Sequence, residues 1–215
     1  MITIAELFDL EHTLAADYLQ GFTKPWQALA GIGTLILELG QRLDPGEYDR
    51  AGEQVWIHRS ARVAPTAYVG GPCIIGADTE VRHGAFIRGN ALVGAGCVVG
   101  NSTELKNVIL FDGVQVPHYN YVGDSILGYK AHMGAGAITS NVKADKGPVV
   151  CDGVDTGRKK VGAFLGDFAE IGCNSVLNPG TVIGRHSNVY PLSSVRGTVP
   201  QAHIYKDKDH IVRKR

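Results

Sequence analysis

The stretch Val116-Pro117-His118-Tyr119-Asn120-Tyr121-Val122-Gly123-Asp124 gathers a histidine, two tyrosines, an amide and a carboxylate in nine consecutive residues. An imidazole of ordinary pKa, ~6.5, is largely neutral at physiological pH, so His118 could accept a proton from a reacting group. Two cations, Arg88 and Lys106, precede it, and Arg158, Lys159 and Lys160 follow as a second basic cluster. Such cations are what an anionic substrate group requires. Taken alone, both sets also read as solvated surface charge. The histidines do not form a zinc set, because His83 lies thirty-five residues before His118 and His132 fourteen after it. Zinc needs convergent ligands, so no metal site is expected.

The elements that must position these groups are set by a period of six. An aliphatic residue returns at Ile57, Val63, Val69, Ile75, Val81, Ile87, Val93, Val99 and Leu105, and again at Leu165, Ile171, Leu177, Ile183, Val189 and Val195. Four residues after most of them comes a small one, as at Ala61, Ala67, Cys73, Thr79, Ala85, Ala91, Cys97 and Thr103. Strict short periodicity of this kind is the mark of a β-solenoid, each hexapeptide giving one strand with its aliphatic pointing inward. Three hexapeptides make one coil, and coils stack about 4.8 Å apart as parallel strands. Cys73 and Cys97 fall on inward positions and read as core thiols.

The chain therefore divides into an N-terminal helical cap over residues 1–54, a β-solenoid over 55–200 and a charged, frayed tail over 201–215. In the cap, Leu7, Leu10, Leu14 and Tyr18, then Trp26, Leu29, Ile32, Leu35, Ile36 and Leu39, recur at helical spacing and predict two helices that cover the open first coil. Leu29-Ala30-Gly31-Ile32-Gly33-Thr34 superficially resembles a phosphate loop, but no strand precedes it, so Gly31 and Gly33 read as helix-packing residues. The period slips to a five-residue step between Val122 and Leu127, and is lost from Val142 to Lys160. That polar, breaker-rich span predicts a loop, 142–160, thrown out from one corner. Lysine plus arginine and aspartate plus glutamate balance at 21 each, which argues against nucleic acid or an anionic membrane as partner. No apolar run approaches the roughly 18 residues of a membrane span. The N-terminus has no signal-peptide pattern, and the four cysteines lack zinc-type spacing, so a cytoplasmic protein with reduced thiols is expected.

The hexapeptide pattern resembles the left-handed parallel β-helix acyltransferase family, and the left hand is an implication of that resemblance. Asn101-Ser102-Thr103-Glu104-Leu105-Lys106, Pro117 to Asp124, and Met133-Gly134-Ala135-Gly136-Ala137-Ile138-Thr139-Ser140-Asn141 resemble the acetyltransferase domain of the bifunctional glucosamine-1-phosphate acetyltransferase/uridylyltransferase. Gly157-Arg158-Lys159-Lys160 and Gly162-Ala163-Phe164-Leu165-Gly166-Asp167 are closer to archaeal sugar-1-phosphate nucleotidyltransferases that carry the same domain. The resemblance implies an acetyl-CoA-dependent N-acetyltransferase acting on an amino-sugar phosphate or related sugar nucleotide, without a metal. It puts His118 at the catalytic base, Arg88 and Lys106 at the sugar phosphate, and Tyr121 and Asn141 at the sugar, with His132 lining the same site. Ala135, Cys173 and Pro191 fall along the acetyl-CoA arm. Backbone amides near Gly134 to Gly136 would face the thioester oxyanion, and the family assembles as homotrimers with active sites between subunits.

Three departures stand out: Val142 follows Asn141 where the bacterial enzyme has a tyrosine, His132 stands where it has an asparagine, and no nucleotidyltransferase half is present. They motivate a rival reading, a non-catalytic sugar-nucleotide-binding or trimerising module. Pyrophosphorylase chemistry is not expected without a strand-loop-helix nucleotide domain. The γ-class carbonic anhydrases share the β-helix, but their histidine spacing is not met here. The fold expected is an all-β solenoid of about seven coils.

Overall fold

The computed structural model describes residues 2–214; Met1 and Arg215, the outermost residues of the expected cap and tail, lie outside them. From residue 55 the chain winds into a left-handed parallel β-helix of about eight turns, the last begun by Thr198–Val199 and His203–Asp207. Each turn lays one short strand on each of three faces. Face one runs from Arg62–Val63 through Val98–Asn101, Gln115–His118 and His132–Met133 to His203–Asp207. Faces two and three merge into one sheet, because Glu104–Leu110 and Tyr121–Leu127 run through the corner between them. This is the physical basis of the period slip. Leu105 to Leu110 and Val122 to Leu127 each take five residues where a full corner takes six, and the strands pair straight across.

The periodic aliphatics fill the inside and are buried, among them Ile75, Val81, Ile87, Val93, Val99, Leu105, Leu165 and Ile183. Thr139 occupies one inward slot, where its hydroxyl meets Ser125 Oγ at 3.1 Å and accepts from Gly123 N at 3.0 Å, so the buried oxygen is satisfied.

Face three carries a second apolar series. Ile74, Leu92, Ile109, Ile126, Phe164 and Val182 are in register, one step before the inward residues, and so point outward. All six are nevertheless buried. The N-terminal segment covers them. In place of two helices it forms three short α-helices, Ile4–Leu7, Ala16–Gln20 and Ile32–Gly40, with single 3-10 segments at Leu10–His12 and Pro25–Gly31 between them. It lies lengthwise, running backward along the solenoid. Leu7 O accepts from Asp167 N at 3.0 Å and Arg185 Nε at 3.2 Å; His12 O accepts from Asp112 N at 3.0 Å; Leu29 O accepts from Asn107 Nδ2 at 3.2 Å. Gly40 then packs against the Trp56 indole of the first coil. The segment is a strap along a side rather than a lid on the first coil, because the exposed apolar area that needs covering lies along face three. Only its end reaches the first coil, where Tyr48–Gly52 pairs antiparallel with Val55–His58.

The opposite end is closed in the same way. Far from fraying, His203–Asp207 joins face one beside Asn188–Val189, and His210–Arg213 folds back on it antiparallel. Tyr205 anchors this hairpin, buried, with its hydroxyl donating to Ser194 O at 3.0 Å. One ladder end at each pole of the solenoid, the start of face three and the end of face one, is thus closed by a hairpin that does not offer a matching parallel edge.

The loop 142–160 does not project freely. Val150–Cys151 and Val154–Asp155 form an antiparallel pair, and Val149, Cys151 and Val161 are buried. Asp152 accepts from Ile2 N and from Thr198 Oγ1, the latter at 2.9 Å, tying the loop to both the strap and the last turn. The apolar residues buried at its base outweigh its polar sequence; Ala144 to Lys146 remain exposed. Among the described residues no helix is long and apolar enough to cross a membrane.

Candidate functional site

His118 ends a strand on face one, at the corner with face two. The next residue, Tyr119, takes left-handed backbone angles (φ 52°), and the chain turns into Asn120, which is buried. Asn120 Oδ1 accepts from His118 N at 3.1 Å, while its Nδ2 donates to Gly134 O at 2.8 Å and Ala137 O at 3.0 Å. A buried amide with these partners pins the turn between two coils and leaves the imidazole exposed. Gly100, one coil below, is required here, since a Cβ at that position would run into the Pro117 carbonyl.

Along this corner four expected site residues fall in one line. Tyr119 N donates to Asn101 O at 2.8 Å, Gly136 N to His118 O at 3.0 Å, Asn174 N to Ala135 O at 2.8 Å, and Leu192 N to Cys173 O at 2.9 Å. The ladder stacks His118, Ala135, Cys173 and, one coil further, Pro191 at the same position of successive turns. The step from Ala135 to Cys173 spans the whole 142–160 loop, which sequence spacing alone does not bridge. Gly134 N and Gly136 N are already given to Ile171 O and His118 O, so of the amides expected to face an oxyanion only that of Ala135 makes no hydrogen bond within the chain. Cys173 is exposed, whereas Cys73, Cys97 and Cys151 are buried.

The opposite edge of face two holds a second group. Lys106 Nζ meets Asp124 Oδ1 at 2.9 Å and Oδ2 at 3.1 Å. Asn141 Nδ2 donates to Asp124 Oδ2 at 2.6 Å and to the Tyr121 hydroxyl at 3.1 Å. Gly123 makes room for this, because a Cβ there would lie 3.0 Å from Asn141 Nδ2 and against the Tyr121 hydroxyl. Burial, reinforced by Asp124 and Glu104, raises the Tyr121 pKa, so its phenol stays protonated. Arg88 Nη1 donates to Glu104 Oε1 at 2.8 Å, and that carboxylate raises the guanidinium pKa further.

The structure therefore brings together Arg88, Lys106, Tyr121 and Asn141 at one edge of face two, and His118, Ala135, Cys173 and Pro191 at the other. A single chain does not join the two edges. His132 belongs to neither: it lies on face one, its Nδ1 2.8 Å from Glu170 Oε2, in a shallow groove of about 250 Å³ that also touches Cys173 and Pro191. Its strand runs on a different face from Tyr121 and Asn141 of the same chain. Arg158 to Lys160 lie where the loop returns to the solenoid, Arg158 O accepting from Val149 N at 2.8 Å and the following Val161 N donating to Asn141 O at 3.0 Å. Among the described residues no three His, Cys, Asp or Glu side chains converge to hold a metal ion.

Asp124, Asn107, Glu104 and Asn120 were not assigned from the sequence. A signal for the first two was available: Asn90, Asn107, Asp124 and Asn141 recur at seventeen-residue steps, the length of the shortened coils. In the fold they form a column of left-handed or corner residues.

Comparison with known proteins gives the following. The family model described as the GMPPB C-terminal domain matches residues 69–189. A bifunctional sugar-1-phosphate nucleotidylyltransferase/acetyltransferase of Sulfurisphaera tokodaii is 31% identical over 105 residues, 47% of this chain and 26% of that protein. The bifunctional protein GlmU of Nostoc sp. is 34% identical over 181 residues, 78% of this chain and 33% of that protein. The chain spans about a quarter to a third of the length of the curated relatives it matches. Among solved structures, a hexapeptide transferase family protein from Anaplasma phagocytophilum matches with a TM-score of 0.44 and 16% identity, over 75% of this chain and 79% of that one.

Proposed function

The chain belongs to the GMPPB C-terminal domain family, and on that footing we propose that it transfers the acetyl group of acetyl-CoA to the amine of an amino-sugar phosphate or related sugar nucleotide. The observation that carries this reading is the line of His118, Ala135, Cys173 and Pro191. The expected base and the expected path of the coenzyme come from segments separated by a long loop, and they share one corner. In the reaction the neutral His118 imidazole accepts the proton of the attacking amine, and the coenzyme A thiolate leaves and recovers a proton from the imidazolium. The free Ala135 N–H is the amide available to the thioester oxyanion. Arg88 and Lys106 hold the phosphate; Tyr121 and Asn141 hold the sugar. Since the two groups occupy opposite edges of face two, a working site forms between two copies, in a homotrimer, and the enzyme acts in the cytoplasm without a metal.

The test is release of free thiol from acetyl-CoA by purified protein with glucosamine-1-phosphate, with His118→Ala in parallel. Turnover that disappears in the variant is the expected result. One observation favours the rival, a non-catalytic sugar-nucleotide-binding or trimerising module: Arg88 and Lys106 are both already paired with carboxylates. A folded protein without turnover on any amino sugar or aminosugar nucleotide, yet binding a sugar nucleotide equally well with and without His118, would decide for the module.

A further inference from the structure

Lys106, Asn141 and, through it, Tyr121 are all fixed by one residue that the reaction above leaves without a role. Asp124 is only 4% exposed, and its two oxygens accept from Lys106 Nζ, Asn141 Nδ2 and Asn107 Nδ2, the last at 3.0 Å. An ionised carboxylate only accepts hydrogen bonds, so each neighbour must turn a hydrogen toward it. Asn141 consequently directs its NH2 inward, one hydrogen to Asp124 and one to the Tyr121 oxygen, and its Oδ1 is left to accept from elsewhere. The Tyr121 oxygen, having received that hydrogen, keeps its own O–H to donate. Lys106 has its charge balanced by Asp124 and retains an N–H for a ligand. The Asn107 amide also donates to Leu29 O, which braces the cluster against the strap.

We propose that Asp124 is a positioning residue that sets the hydrogen-bond polarity of the acceptor site, so that the accepted molecule must present a hydroxyl or N–H to Asn141 Oδ1 and acceptor oxygens to Tyr121 and Lys106. A sugar ring phosphate has both kinds of group within one small molecule. The proposal rests on the acetyl-transfer reading of the same site and adds a rule of selection to it. With Asp124 opposite Lys106 and Glu104 opposite Arg88, the four charges cancel. Recognition of the acceptor then depends on the direction of hydrogen bonds more than on net charge.

The experiment compares wild type with Asp124→Asn, which keeps the size of the side chain but permits it to donate as well as accept. Steady-state kinetics are measured on glucosamine-1-phosphate and its 3-, 4- and 6-deoxy analogues, with thermal melting of both proteins. Wild type should reject at least one deoxy analogue by about tenfold or more in kcat/KM. In the variant that ratio should shrink at least about threefold, because Asn141 is free to turn over, while KM for acetyl-CoA stays within about twofold. An unchanged ratio in a folded variant, or equal loss toward both substrates, overturns the proposal. If Asp124→Asn does not fold, Tyr121→Phe takes its place: it should weaken glucosamine-1-phosphate about fivefold and leave acetyl-CoA alone, and no change overturns the proposal. If wild type acetylates none of these sugars, the acetyl-transfer reading fails separately. The clamp is then judged by competitive labelling of the Lys106 amine with acetic anhydride, expected about fivefold faster in the variant, equal rates refuting it.

Discussion

Replacing Leu92 with alanine should loosen the strap and leave the coils intact. Leu92 is the outward middle residue of Ala91–Val93, in register between Ile74 and Ile109, and the helix Ile32–Gly40 lies over these strands. It is 1% exposed, so the truncation removes three fully buried carbons. At about 0.8 kcal/mol for each, the transfer loss is about 2.4 kcal/mol, and an unfilled cavity adds to it. The inward core of the solenoid does not include this side chain, so the loss falls on the docking of the strap. A change of about 2.4 kcal/mol multiplies the opening equilibrium by about 50. Amide hydrogen exchange over residues 32–40 should accelerate by that order, while amides of the paired strands Ala163–Leu165 and Thr181–Ile183 keep their protection. Equal acceleration in both regions would show that strap and solenoid open as one unit, and the reasoning from an outward stripe would be wrong.

The remaining predictions concern titration. Burial drives the Cys73 thiol far up and pushes Cys97 and Cys151 to about 12, whereas Cys173 is exposed. One of the four thiols should therefore react promptly with a colorimetric disulfide reagent in the native protein, and four after denaturation. Coenzyme A at ten times its Kd should slow that one about tenfold if it runs along this corner. Burial also raises the Asp112 carboxyl above its ordinary value, against the opposing hydrogen bond from Ala95 N. The folded state then binds the proton more tightly than the unfolded one, so this group supports folding at pH below its unfolded pKa, and that support is lost as pH rises through the folded value. Asp112→Asn, which can still accept from Ala95 N, should raise Tm by about 1–2 °C at pH 7, with the difference closing toward pH 4. A difference that does not change with pH would assign the effect to packing.

The inward aliphatics, and with them the β-helix, were legible because one period repeated through both halves of the chain. The strap was not, for two physical reasons. Its apolar residues are spread over several short elements rather than one long helix, and Pro25 and Gly31 bound the 3-10 segment that interrupts the helical run. Its docking stripe repeats only once per coil, so Ile74, Leu92 and Ile109 look like mere extensions of their inward neighbours. The tail misled through composition: His203, Lys206, Asp207 and Lys208 surround the one residue, Tyr205, that decides its path. At the site, the spacing from His118 to Tyr121 and Asn141 could be read directly. That they stand at two edges of a face depends on where the corners fall, and the five-residue corner hid this. Asp124 stood in plain view next to Gly123, but a carboxylate's value as a hub depends on neighbours one coil away.

The strap also orders events in time. It is synthesised before the coils that it covers, and its first turns have partners made much later: Asp9 N is held by Asp167, 158 residues on, and Leu7 O by Arg185, 178 residues on. At ribosomal speeds of about 5–20 residues per second, those turns wait roughly 10–35 s for a seat. Their other end can settle at once, since Gly40 and Tyr48 meet Trp56 and His58 in the first coil to emerge. Docking therefore advances from the middle of the chain back toward its N-terminus, one step for each coil completed. Ile4, Leu7 and Phe8, which are buried in the finished fold, lie at the end of this sequence of contacts. A chain that stops before Arg185 leaves them without that anchor, so an unfinished molecule displays an apolar segment to the chaperones and proteases that remove such products.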